Sequence, residues 1–152
     1  MAYTTEEGQQ QLLDSLASAT QEIATALAAL GEAYEQLDEQ SAERLEEQLF
    51  RPVQRAFALA RRTGSSFSGR SGLPFGEQEP SPRGAPSHGT KGFIEDATQS
   101  AERADAILAE LQDSMLPVEV GDPELRAGLS SVRELLGALT PAAREMLRTF
   151  GR

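Results

Sequence analysis

The chain has 152 residues and carries 24 Asp and Glu against 14 Lys and Arg, for a net charge of −10. That length suits one domain spanning 1–152. The absence of Cys excludes disulfides and thiolate chemistry, and a single His excludes most histidine-built metal centres.

The opening segment, Met1 to Gly8, is polar and acidic, without the basic start and apolar stretch of a secretory signal. The most apolar run, Ile23 to Leu30, is mostly alanine and is interrupted by Thr25. It falls short of the ~20 apolar residues of a membrane span. A cytoplasmic protein with no membrane partner is therefore expected.

The first periodic segment steps by threes and fours through Leu13, Leu16, Ile23, Leu27, Leu30, Tyr34 and Leu37, with Thr20 filling the gap. This spacing predicts a helix over about 4–37. Thr4 and Glu7 offer a capping box at its start. The seam then shifts phase, so a turn is expected near Asp38–Ser41 with Ser41 as N-cap; one long helix through 4–63 is the alternative. The second helix, about 41–63, uses Ala42, Leu45, Leu49, Val53, Ala56 or Phe57, and Ala60. Pro52 should bend it.

From Gly64 to Gly92 there are seven Gly, four Pro and six Ser in 29 residues. Few apolar side chains remain there to offset ordering, so 64–92 reads as a flexible connector. The third helix, about 93–116, follows Ile94, Ala97, Ala101, Ala104, Leu108, Leu111 and Met115, and Pro117 should stop it. The fourth, about 122–150, opens on Asp122-Pro123, an N-cap followed by proline at N1. Leu125, Leu129, Val132, Leu136 and Leu139 form its seam. Thr140-Pro141 repeats the start signal and predicts a bend before a last short helix. No segment alternates as a half-buried strand does. The expected fold is all-α, an up-down four-helix bundle with a long connector between helices 2 and 3.

Chemistry-bearing motifs are scarce. No Glu-x-x-His pair occurs, and no seam position is Asp or Glu, so no metal ligand, cofactor site or catalytic residue is assigned. A Ser–His–Asp arrangement would have to recruit His88 from the connector, which positions a base poorly. No phosphate-cradling glycine motif is present. The protein is expected not to be an enzyme.

Charge is uneven along the chain. Residues 1–50 hold 11 acidic side chains and one basic, whereas residues 51–91 hold seven basic and two acidic. Helix two runs from Glu43, Glu46 and Glu47 to Arg51, Arg55, Arg61 and Arg62. This order complements the helix dipole, with Glu47–Arg51 at the favourable i,i+4 spacing. The same arginines could form a docking patch continuing through Arg70 and Arg83. Phe67 and Phe75, isolated in the connector, could be docking motifs or could tuck onto the bundle.

The favoured expectation is a non-catalytic protein–protein interaction or assembly module that binds a protein partner or itself, first of all as a dimer. Arg51, Arg55, Arg61, Arg62, Phe67 and Phe75 are its candidate contacts. One alternative is a nucleic-acid accessory using the basic 51–91 segment, disfavoured because the total charge opposes polyanions. The others are a ferritin-like metal-binding bundle and a carrier of apolar ligands.

Overall fold

The computed structural model describes residues 5–80 and 89–150, and among these every regular element is helical. Helix α1 spans Glu6–Glu35, α2 Glu39–Leu45 and α3 Arg51–Ser71, with a π turn, Glu46–Phe50, joining the last two. Helix α4 spans Gly89–Asp113, α5 Leu116–Val120 and α6 Pro123–Phe150. No helix among the described residues is long and apolar enough to cross a membrane.

The helix starts follow side-chain capping. Thr5 caps α1, its hydroxyl accepting from the Gly8 N–H at 3.0 Å, one residue beyond the expected Thr4. The break between α1 and α2 is real, but its cap is Asp38 rather than Ser41. The Asp38 carboxylate accepts from the Ser41 N–H at 2.8 Å, and that bond is the main reason its pKa is lowered. An aspartate placed three residues before a free N–H satisfies one orphan donor of the new helix.

The π turn precedes Pro52. Its last bond runs from the Arg51 N–H to the Glu46 carbonyl, five residues back. This wider turn suits a position where proline lacks a donor and its ring crowds the carbonyl four residues earlier.

Three helices differ from expectation in their boundaries. Helix α3 does not end at 63 but continues to Ser71, and Gly72 (φ 77°) closes it in the left-handed conformation that glycine adopts without penalty. Helix α4 begins at Gly89 and ends at Asp113. Met115 leaves the seam for a left-handed turn (φ 65°) and is 52% exposed, and Pro117 lies in the first turn of α5 instead of stopping α4. Helix α6 runs through Pro141, and no new helix starts there. The Thr140 hydroxyl, expected to cap one, lies within 3.4 Å of Glu102 on α4.

The long helices form a square in which α1 touches α3 and α4, and α6 touches the same two. Every side is antiparallel. Glu22 meets Arg103 and Gln36 meets Thr90 between α1 and α4. Asp105 meets Arg133 and Ser130 meets Gln112 between α4 and α6. Arg70 meets Asp122, and Thr63 meets Gly128, between α3 and α6. Gln9 of α1 lines one groove with Phe67 and Arg70 of α3. The chain order is therefore up, down, down, up, in place of the strict alternation of an up-down bundle.

The connector explains this order. Residues 72–88, 17 in all, can reach about 55 Å when extended, more than the roughly 37 Å length of the 25-residue α4. The second hairpin is thus free to dock in the opposite sense. Residues 72–80 lack helix and hold to the bundle: the Pro74 carbonyl accepts from Gln10 at 3.1 Å, and the Phe75 ring sits on Gly64.

The core is built from Leu12, Leu13, Leu16, Ile23, Leu45, Ile94, Leu108, Leu125 and Leu129 among others, each shielded from solvent. Full burial of each such side chain contributes ~1.5–3 kcal/mol. Alanines fill the narrower places, with Ala19, Ala26 and Ala33 on α1 and Ala97, Ala101 and Ala104 on α4. Ser100 lies in that alanine-rich stretch of α4, wholly buried, and its hydroxyl has no hydrogen-bond partner among the described residues. Ser100→Ala is expected to raise stability by about 1 kcal/mol in urea titration, because it removes an unsatisfied buried group and improves helix propensity.

Candidate functional site

Among the described residues no charged side chain is wholly buried, though one oxygen of the half-buried Asp96 is shielded from solvent. The buried polar residues among those described are Thr20, Thr25, Thr63 and Ser100. Thr20 and Thr25 return their hydroxyls to carbonyls one turn back, at 2.7 and 3.1 Å. Among the described residues no three of His, Cys, Asp and Glu are grouped as a metal site requires. A single long crossover is a connection that ferritin-like bundles also use, but those bundles place glutamates and Glu-x-x-His pairs inward.

The surface of α3 is more informative. Arg51, Arg55, Ala58 and Arg62 follow the spacing i, i+4, i+7, i+11, which at 100° per residue confines them to an arc of about 60°. The buried residues of this helix, Val53, Ala56, Ala60, Thr63, Gly64 and Phe67, occupy the opposite side. Arg51, Arg55 and Arg62 are thus exposed on one outward stripe, and none of them forms an ion pair among the described residues. The expected Glu47–Arg51 pair does not form among the described residues, where a π turn lies between the two.

The other candidates separate from this stripe. Arg61 lies off it and stacks on the Phe57 ring, 5.5 Å from the ring centroid. Phe67 is not in a connector: it is 4% exposed, in the last turns of α3, within the core. Of the two placements weighed for it, Phe67 takes the packed one, as a residue of α3 rather than of a connector. Phe75 is half-buried, its ring against Gly64, which is one of the two placements weighed for it. Arg83 and His88 lie outside the described residues.

Arg70 does not extend the patch, because it is already engaged. Its guanidinium donates to both Asp122 oxygens at 2.7 and 2.9 Å and to Glu124 at 2.9 Å, clasping the end of α3 to the start of α6. Asp122 also accepts from the Leu125 N–H at 3.0 Å as N-cap of α6. Burial pushes the Asp122 carboxyl up, but hydrogen bonds from Arg70 and Leu125 outweigh this and its pKa is lowered. A depressed folded-state pKa contributes stability that is present above the unfolded value near 4 and is lost as pH falls through the folded value. The stability difference between wild type and Asp122→Asn, which retains a capping oxygen, should be greatest near neutrality and shrink as pH falls below the unfolded value. Urea midpoints measured across that range check this.

Sequence reasoning missed this clasp and the close approach of Gly128 to Thr63. Both depend on how the two hairpins dock. A second exposed face was visible only as a run of acidic residues. Glu6, Glu7, Gln10, Gln11, Asp14, Ser15, Ser18 and Leu73 line an open groove of about 800 Å³ on the first turns of α1.

No family model matches the chain, nor does any curated protein or solved structure.

Proposed function

We propose that this protein is a non-catalytic assembly module, a helical bundle that holds another protein or a further copy of itself on its outer helix faces. One observation carries the reading. The chain has 24 acidic side chains for 14 basic ones, so any arginine has carboxylates to spare. Arg70 uses two of them, and Arg103, Arg133 and Arg148 use one each. Of the arginines without an ion pair among the described residues, which include the exposed Arg126 and Arg144, the exposed Arg51, Arg55 and Arg62 are aligned along one helix face. An aligned row of arginines suits recognition of carboxylates outside the molecule.

The nucleic-acid reading draws on the same arginines but lacks its stacking partner. Phe67 is withdrawn into the core, and Arg61 already stacks on Phe57. Binding of single strands relies on rings open to a base.

The test is affinity capture from the native cells with the full chain as bait, beside Arg51→Ala/Arg55→Ala/Arg62→Ala. A protein retained in stoichiometric amount by the wild type, the chain itself included, and lost by the triple variant supports the reading. A wild-type bait that retains no protein overturns it.

A further inference from the structure

We propose that the Arg51–Arg55–Arg62 stripe docks into the acidic α1 groove of a second copy of this chain. The inference rests on the assembly reading and names the partner. It follows from a match in chemistry and in spacing. Glu7, Gln11, Asp14 and Ser18 repeat the i, i+4, i+7, i+11 pattern of Arg51, Arg55, Ala58 and Arg62. Both rows are about 17 Å long and lie on the outer face of their helix.

The fold places the two rows for mutual docking. Helices α1 and α3 adjoin and are antiparallel, so the acidic row lies toward the end of the bundle where α1 begins. The arginine row starts nearer the other end. A two-fold axis perpendicular to the bundle exchanges the ends. Each arginine row then meets the acidic row of the other copy, and the contact is made twice in a closed pair.

In this pairing α3 of one copy runs parallel to α1 of the other. Glu7 aligns with Arg51. Asp14 aligns with Ala58, whose small side chain leaves it between Arg55 and Arg62, one turn away on either side. Leu73, which also lines the acidic groove, offers an apolar surface for the arginine stems. The exposed carboxylates and guanidiniums are weakly held at physiological salt, so the pair is sensitive to ionic strength.

Sedimentation equilibrium of the full chain at low salt tests this, with two variants. One reverses the stripe, Arg51→Glu/Arg55→Glu/Arg62→Glu; the other reverses the groove, Glu7→Arg/Asp14→Arg. All five positions are exposed, and circular dichroism verifies that each variant is folded. Wild type is expected to approach twice the monomer mass as concentration rises and to return to monomer at high salt. Each variant alone should lose at least about tenfold in dimer affinity, because like charges then face each other. A one-to-one mixture of the two variants should pair again, since each supplies what the other lacks.

A wild type that stays monomeric at low salt and high concentration, or a dimer that neither variant weakens, overturns the proposal. If the monomeric wild type still captures a protein that the triple alanine variant loses, only self-docking fails and the assembly reading stands. Binding of oligothymidine by monomeric wild type, lost on stripe reversal, would assign the arginines to nucleic acid and overturn both.

Discussion

Phe67→Ala should lower the unfolding free energy by about 3 kcal/mol, the low end of the range for truncating a buried phenylalanine. The ring is 4% exposed and belongs to the central apolar cluster. Gln9 of α1 and Val120 at the start of the second hairpin's return line the adjoining groove, so the cavity left behind is bounded by three elements. Rigid helices close such a gap only partly, which adds the cavity cost to the lost transfer energy. Urea denaturation followed by circular dichroism measures the change. A docking motif on a mobile segment would behave otherwise, since exposed substitutions fall within about ±0.5 kcal/mol. The same titration on Arg51→Ala/Arg55→Ala/Arg62→Ala should show only such a small shift. Loss of stability at Phe67 with none at the arginines would separate the packing residue from the surface residues that the sequence placed together.

That separation marks how far the sequence could be read. The seams of α1, α4 and α6 were plain because apolar residues, leucine and alanine foremost, recur at helical spacing, with Thr20 filling the one gap. The end of α3 was obscured by composition. Gly64, Ser65, Ser66, Ser68 and Gly69 resemble a linker, and intrinsic propensity argues against helix there. Tertiary contacts outweigh it: Val53, Ala56, Ala60, Gly64 and Phe67 continue the seam by threes and fours, and Phe75 packs on Gly64. The continuing period was present in the sequence, and it is the stronger signal because burial of a ring outweighs a few tenths of a kcal/mol of propensity per residue.

Direction was not legible. An alternating bundle is the economical reading when loops are short, but the 17 residues from 72 to 88 can span the bundle and remove that constraint. The clasp of Arg70 on Asp122 and Glu124 exists only because α3 ends where α6 begins. The arginine stripe was half legible. Its members were evident from residue type, but Arg51 does not pair with Glu47 across the π turn, and helical phase detaches Arg61 from its neighbours. Both effects require knowing where the helix begins to wind regularly.

Helix α6 contains two interior glycines at which one substitution should act with opposite sign. At Gly137, exposed and with nothing within 4 Å of an added Cβ, Gly137→Ala should stabilise by up to about 1 kcal/mol through reduced backbone freedom. At Gly128, buried against α3, a Cβ would lie 2.3 Å from the Thr63 hydroxyl oxygen, 2.7 Å from its methyl and 3.1 Å from its own Cβ. Rotating Thr63 can relieve the first two contacts but not the third, which is fixed to the α3 backbone. The helices must therefore move apart, and overpacking of this kind costs ~1–3 kcal/mol. After the intrinsic gain, Gly128→Ala should destabilise by about 1–2 kcal/mol, and Gly128→Val by more, because a branched side chain meets the same backbone. Thr63→Ala in the Gly128→Ala background should recover part of the loss, since two of the three contacts come from atoms it removes. Urea midpoints for the four chains give the cycle directly. A stabilised Gly128→Ala would mean that α3 and α6 do not approach at this point, and the up-down-down-up arrangement, which rests on their antiparallel contact, would lose its closest packing.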